Sequence, residues 1–314
     1  MTITLQHFVA HHRPKMEVAL FEYLPYSRKG GTQRFNEALH YALFPGGKRW
    51  RPFLTLLGGM IVGANPQAIL PAACAMEFLH TSSMILDDLP AMDDADTRRG
   101  KPALHLAYDE STAVLVALAL MNHSYSLLAL TCQKLNHNEL AGRLISQAAE
   151  WIGADGMIGG QVVDLELWSN DSEFETLVSR NLKTTALMKL TMTAGAIAAN
   201  AYETEIAALA RFGEVLGMAY QICDDLLDEL GDDHVIGKPK RQDTRHQRPN
   251  FVNKYGIVEA RRIADELVKE GKEGIQKQFS HRQEVILLTE AADTIVGAPP
   301  FSLAPCKYEM ATVS

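Results

Sequence analysis

The sequence is short of several things, and each shortage removes a class of function. Four cysteines occur in 314 residues, at 74, 132, 223 and 306, with no CxxC pair and no metal-ligand spacing. They read as free thiols in a reducing compartment. No basic stripe is present, and the net charge is −8, which argues against nonspecific nucleic-acid binding. The first residues, Met1-Thr2-Ile3-Thr4-Leu5-Gln6-His7, lack the basic-then-apolar order of a signal peptide. The sequons at Asn122 and Asn170 therefore read as chance, and a cytoplasmic location is expected. Long apolar runs are missing too. Ala113–Met121 is ended by Asn122 and His123 well short of a membrane span, so it reads as a fully buried helix with no transmembrane segment. There is no GxSxG, no HExxH, no Walker loop, no repeat and no Ser/Gly/Pro-rich linker.

What remains is a chain of 47% apolar and 22% charged residues, the balance of a globular protein with a sizeable core. Apolar residues recur at helical spacing in 14–24, 34–44, 52–63, 67–88, 112–134, 138–152, 173–199, 203–229 and 255–278. Breaks fall at Pro45-Gly46-Gly47, Gly63-Ala64-Asn65-Pro66, Gly153 and Gly231. No segment alternates at period two with hairpin punctuation, so the expected fold is all-α. Composition does not shift along the chain, which favours one domain over 1–314 with an irregular tail at 297–314. Small residues crowd Thr193–Ala199 and would let two buried helices approach closely.

Against this apolar background two acidic clusters stand out. The first, Asp87-Asp88-Leu89-Pro90-Ala91-Met92-Asp93, follows the apolar Met84-Ile85-Leu86. Carboxylates this close repel one another and destabilise a bare helix end. A cation should share the site, and hard oxygen ligands suit Mg²⁺. Asp87 and Asp93 are six apart, off a common helix face, and Pro90 strains the turn before it, so a helix ends or bulges here. His80 shares a face with Ser83 and Asp87. In the second cluster, Asp224-Asp225-Leu226-Leu227-Asp228, helical spacing lines up Gln221, Asp224, Asp225 and Asp228. Three carboxylates on one stripe of an apolar helix build a poor core and a plausible metal site.

Basic residues form three groups: Lys48 and Arg51 after Gly46-Gly47, Arg98-Arg99 after the first acids, and Lys238-Pro239-Lys240-Arg241 after the second, with Arg248 beyond. Each alone is ordinary surface charge. Beside two acidic clusters they suggest phosphate oxygens held by Mg²⁺ and by Lys/Arg donors. Gln161 and Asp164 share a helix face, and Lys183-Thr184 adds a cation and a hydroxyl. Metal sites ringed by phosphate binders in an apolar helical bundle suit chemistry driven by a diphosphate leaving group.

These residues, in this order, resemble the short-chain branch of the trans-isoprenyl diphosphate synthases over roughly 15–290. The matching stretches are GGKRxRP at Gly46–Pro52, DDxxxxD at Asp87–Asp93 with Arg98-Arg99-Gly100 after it, GQxxD at Gly160–Asp164, Lys183-Thr184, and DDxxD at Asp224–Asp228. The resemblance implies helices around a deep cavity, usually in a homodimer. It also implies that an allylic diphosphate (dimethylallyl, geranyl or farnesyl) is ionised and attacked by the double bond of isopentenyl diphosphate. By carry-over, Asp87, Asp93, Asp224 and Asp228 hold three Mg²⁺ on the allylic diphosphate, with Asp88 and Asp225 as further candidate ligands. Arg98, Lys183 and Lys238 would bind that diphosphate, and Lys48, Arg51, His80 and Arg99 isopentenyl diphosphate. Thr184 and Gln221 would sit beside the reacting carbons, Asp164 would orient Lys183, and Gln161 would join the substrate set.

Four features depart from the family pattern or refine it. Tyr220 stands where Phe is usual, and Arg248-Pro249-Asn250-Phe251-Val252 replaces Lys-x-Thr-x-Pro. The tail after Val296 lacks the arginine-bearing terminal helix. Ser83 and Ser82 occupy the positions four and five before Asp87, which the resemblance implies help set the floor of the product pocket. A small residue at the second of these, Ser82, is what the resemblance associates with a C20 rather than a C15 product. A terpene cyclase would not need Lys48, Arg51 and Arg99 for a second diphosphate. A non-catalytic partner subunit would be expected to have lost aspartates, and both clusters are intact.

Overall fold

A computed structural model describes residues 4–166, 174–230 and 250–297. In chain order the described elements are α1 (Leu5–Glu22), α2 (Gln33–Leu43), α3 (Trp50–Met60), α4 (Pro66–Asp87), β1 (Thr97–Arg98), β2 (Lys101–Pro102), α5 (Leu104–Ala107), α6 (Glu110–Lys134), α7 (Ala141–Ile152), α8 (Met157–Glu166), α9 (Phe174–Ala198), α10 (Glu203–Leu230), α11 (Phe251–Gln278) and α12 (Glu284–Val296). The fold is all-α, and among the described residues its only strands are the two of one short hairpin, two residues each.

Helix starts follow local chemistry. Asn65 caps α4 by accepting from the Gln67 amide at 2.9 Å, with Pro66 in the first turn, where its missing N–H is harmless. Asp109 caps α6 through the Thr112 amide at 2.7 Å, and Asn250 caps α11 through that of Asn253 at 2.7 Å. The expected start of the first helix at residue 14 is wrong: α1 begins at Leu5 and runs through Pro14. A proline there removes one hydrogen bond, and the burial of Leu5, Phe8, Val9, Met16 and Leu20 on either side outweighs that loss.

The larger core runs from Leu5 in α1 to Ala292 in α12, and a smaller one joins Leu177, Ile222, Leu226, Phe251 and Val252 between α9, α10 and α11. α4 packs along α6, and α10 lies between α9 and α11. α3 crosses α9 where Gly59 faces Gly195, and a Cβ built at Gly195 would fall 2.9 Å from the Gly59 Cα. The small residues at 193–199 thus permit the close approach their composition suggests. By length and composition α4, α6 and residues Glu203–Leu227 of α10 could each cross a bilayer. α6 runs through Asn122-His123, as the helical spacing over 112–134 predicts, but it is not fully buried: Leu115 and Leu118 are more than half exposed.

Candidate active site

The first acidic cluster sits where α4 ends. Asp87 is the last helical residue, and the chain folds back so that the Asp93 amide donates to the Asp87 carbonyl at 2.9 Å. Two residues six apart in sequence are thereby brought to one place, although no straight helix could align them. After this turn β1 and β2 pair Arg98 with Lys101 across a two-residue turn in which Arg99 (φ 55°) and Gly100 (φ 74°) are both left-handed. Arg98 ends β1 while Arg99 sits in the left-handed turn, and the two side chains take different partners. Arg98 returns to Asp88, its Nε 3.0 Å from Oδ1 and 3.1 Å from Oδ2. Arg99 turns toward Glu77 on α4, 3.8 Å away.

Three more elements reach the same place. Gly160 lets α8 lie against α9, since a Cβ there would come 2.2 Å from the Lys183 amide nitrogen. One turn further on, buried Asp164 accepts from Lys183 Nζ at 2.5 Å. Gln161 Nε2 donates to the sulfur of Met92, inside the first acidic turn, at 3.6 Å. On α9 Thr184 Oγ1 donates to Gln221 Oε1 of α10 at 3.1 Å, and Gln221 Nε2 donates to Asp225 Oδ1 at 3.3 Å. Asp225 Oδ2 accepts from the amide of Phe251, the first residue of α11, at 3.2 Å.

Adjacent residues on a helix point about 100° apart, and each Asp-Asp pair divides accordingly. Asp88 and Asp225 are 3% and 2% exposed and are engaged by protein groups. Asp87 and Asp93 are half-buried and Asp224 is exposed. Burial pushes the Asp87 carboxyl up to about 6; the Lys183 charge pulls it down, and Asp93 and Asp164 push it up. Burial also holds the His80 imidazole well below its ordinary value, and the charges of Arg51, Arg99, Arg98 and Arg49 act the same way. His80 is therefore a neutral ring among arginines, able to donate one hydrogen bond. Arg51 Nε is buried without a partner among the described residues, a donor left for a ligand. The Asp224 charge raises the Tyr220 phenol and Arg51 lowers it.

The two candidate product-length residues separate. Ser83 lies in line with His80 and Asp87, its hydroxyl bonded to the His80 carbonyl at 2.9 Å. Ser82 faces α6 and donates to the Ala117 carbonyl at 2.9 Å. Lys48 is exposed at the head of α3. Lys238 and Arg248 lie outside the described residues, as does the side chain of Asp228.

Sequence reasoning missed an ion triad under the Lys48–Arg51 loop, buried at Arg49 and Glu77 and partly exposed at Glu17. Arg49 is fully buried, with Nη1 2.7 Å from Glu77 Oε1 and Nε 3.1 Å from Glu17 Oε1. One signal could have found it: Glu77 is the only Asp, Glu, Lys or Arg between Arg51 and Asp87.

Among the described residues no three His, Cys, Asp or Glu side chains converge closely enough to hold a metal ion unaided. Mg²⁺ takes one or two carboxylates and completes its shell with water and phosphate oxygens. The donors here are carboxylate oxygens beside cations suited to phosphate.

A polyprenyl synthetase family model matches residues 32–285. A geranylgeranyl diphosphate synthase of Cyanophora paradoxa is 36% identical over 270 residues, 85% of this chain and 89% of that one. The crystal structure of an FPP/GFPP synthase from Zymomonas mobilis superposes with a TM-score of 0.82 at 30% identity, covering 94% of this chain and all of that one. A geranyltransferase from Helicobacter pylori, solved with magnesium and isoprenyl diphosphate, gives 0.80 at 27% identity, covering 94% of this chain and 97% of that one.

Proposed function

The chain belongs to the polyprenyl synthetase family as a short-chain trans-isoprenyl diphosphate synthase, and we propose that the residues gathered around Asp87 carry its reaction. It is a prenyltransferase of the geranylgeranyl/farnesyl diphosphate synthase type, joining isopentenyl diphosphate to an allylic diphosphate. The observation that supports the site most is the charge environment of Asp87, where Lys183 of α9, Asp164 of α8, Asp93 and Arg98 all act on one carboxylate.

Asp87, Asp93, Asp224 and Asp228 are the proposed ligands of three Mg²⁺, with Arg98, Lys183 and Lys238 on the allylic diphosphate. Bound Mg²⁺ supplies Lewis-acid stabilisation of the charge that gathers on a departing diphosphate. Asp88 and Asp225 act on protein groups instead, Asp88 aiming Arg98 and Asp225 aiming Gln221. Lys48, Arg51, neutral His80 and Arg99 hold isopentenyl diphosphate, the unpartnered Arg51 Nε being the donor most ready for it. The allylic C–O bond breaks with its electron pair on oxygen, and the isopentenyl C=C pair forms the new C–C bond. A C–H bond beside the resulting cation then breaks, its electron pair forming a new C=C and its proton passing to the departed diphosphate. Because Thr184 donates its hydrogen to Gln221, its lone pairs remain to face the developing cation.

We assign a C20 product, with C15 the alternative, since Ser83 is small and lies in line with His80 and Asp87. The exposed Leu115 and Leu118 on α6 support a homodimer, and the free thiols Cys74, Cys132 and Cys223 fit a cytoplasmic location. Incubating the protein with Mg²⁺, labelled isopentenyl diphosphate and each allylic primer in turn tests the reading. Products lengthened by five carbons are expected. Consumption of the primer without isopentenyl diphosphate would instead indicate a cyclase.

A further inference from the structure

The two loops assigned to isopentenyl diphosphate share an odd construction. Each passes through left-handed backbone at an arginine, Arg49 (φ 56°) in one and Arg99 (φ 55°) in the other. Non-glycine residues adopt that conformation only where their surroundings enforce it. Both arginines turn to the same oxygen, Glu77 Oε1, at 2.7 Å from Arg49 and 3.8 Å from Arg99. The Arg49 grip is deep. Its side chain is 0% exposed, Nη2 also reaches Glu17 Oε2 at 3.1 Å and the Leu43 carbonyl at 2.8 Å, and a Cβ at Gly46 would fall 1.8 Å from its Cζ. Arg49 lies between Lys48 and Arg51 and opens α3, so fixing its backbone fixes the directions of both neighbours. His80 follows Glu77 by one turn on the same face of α4.

We propose that Glu77 is the positioning residue of the isopentenyl diphosphate subsite: through Arg49 it sets the bend between Lys48 and Arg51, and through Arg99 it sets the β1–β2 turn against them. The inference rests on the assignment of Lys48, Arg51, His80 and Arg99 to that substrate.

The sign of one measurement separates positioning from charge balance. A carboxylate among cations weakens the pull on a diphosphate, so if Glu77 only balanced charge, Glu77→Gln would lower KM for isopentenyl diphosphate. If it positions, the neutral and looser partner lets the loops drift, and KM rises. A roughly 10- to 100-fold rise is expected, as displacement on the scale of an ångström can cost that much, with KM for the allylic primer within about twofold. Arg49→Met added to Glu77→Gln restores the balance of buried charge. The double variant should regain thermal stability yet keep the raised KM, and it is measured alone if the single variant does not fold. An unchanged or lower KM in Glu77→Gln, or a KM that recovers together with stability in the double variant, overturns the proposal. Lys48→Ala is the control. If it leaves KM for isopentenyl diphosphate unchanged, the subsite assignment itself fails; if it raises KM while Glu77→Gln does not, only the role of Glu77 fails.

Discussion

Replacing Asp225 by Asn should reverse a hydrogen-bond chain next to the reacting carbons. A carboxylate only accepts, so the Gln221 amide must turn its NH₂ to Asp225 and its oxygen to Thr184, and Thr184 must donate. Asn has one accepting oxygen. The buried Phe251 amide claims it, because leaving such a donor unpaired costs about 1–3 kcal/mol. The Asn NH₂ then faces the Gln221 NH₂, and Gln221 flips to relieve the clash. Thr184 now accepts from Gln221, and its hydroxyl hydrogen turns toward the allylic carbon. The positive end of a dipole faces a developing cation where lone pairs stood before. Preorganised dipoles at such positions are worth about 2.7–4 kcal/mol, so kcat should fall roughly 100-fold or more. Steady-state kinetics with geranyl diphosphate across a Mg²⁺ series, together with a melting curve, reads the effect. The Mg²⁺ half-saturation should stay within about twofold of wild type, unlike that of Asp224→Asn. Thr184→Val should cost a similar factor, and the double variant little more than either alone. An unchanged kcat would refute the polarity argument, and a Mg²⁺ requirement shifted as far as in Asp224→Asn would return Asp225 to the metal.

Other outcomes follow from the same geometry. Asp87→Ala and Asp224→Ala should each abolish turnover while leaving the circular dichroism spectrum in place; retained activity in either would remove it from the metal set. Asp87 in the folded chain titrates at about 6, above its ordinary value of 3.8, so between those values the folded state binds the proton more tightly than the unfolded one. Ionised Asp87 therefore destabilises the metal-free fold as pH rises through this window and fully above about 6. In EDTA, Asp87→Asn should gain stability over wild type between pH 4 and 7, by up to about 3 kcal/mol in denaturant titrations; parallel profiles would contradict the burial argument. Ser83→Phe should shorten the product chain in the labelled assay, whereas Ser82→Phe should overpack the α4–α6 contact and lower stability by about 1–3 kcal/mol. If Ser82→Phe shortens the product with no loss of stability, the separation of the two serines is wrong.

The all-α architecture was legible because apolar residues recur at 3.6 over most of the chain, and that period depends on nothing distant. The failures fell where local pattern and tertiary context disagree. Pro14 looks like a helix start, and only the core contacts of Leu5, Phe8 and Val9 carry α1 past it. α5, α8 and α12 are short or flanked by weak punctuation. The β1–β2 hairpin is too brief to show a period, although Arg99-Gly100 is a workable left-handed turn pair. Hydropathy alone implies full burial of α6, because it cannot tell a core face from a face left for a partner.

The site divides along the same line. Grouping the aspartates needed only sequence, but assigning them needed geometry that helix pitch already contains: neighbours 100° apart cannot both face one diphosphate. Of each pair, Asp88 and Asp225 took the protein side, and the kinds of partner they found, a guanidinium and a backbone amide, are those that fix directions in the site. Glu77 was harder to read. Its partner Arg49 lies 28 residues away, in a stretch that reads as a basic loop. Yet a solitary carboxylate in an apolar stretch from Arg51 to Asp87 cannot be buried unpaired. The nearest cations with a structural reason to be fixed are those of the glycine-flanked loop. Burial of a lone charge therefore implies a buried partner, and a partner next to substrate-binding residues implies that their placement depends on the pair. That dependence is what the Glu77→Gln and Glu77→Gln/Arg49→Met variants measure.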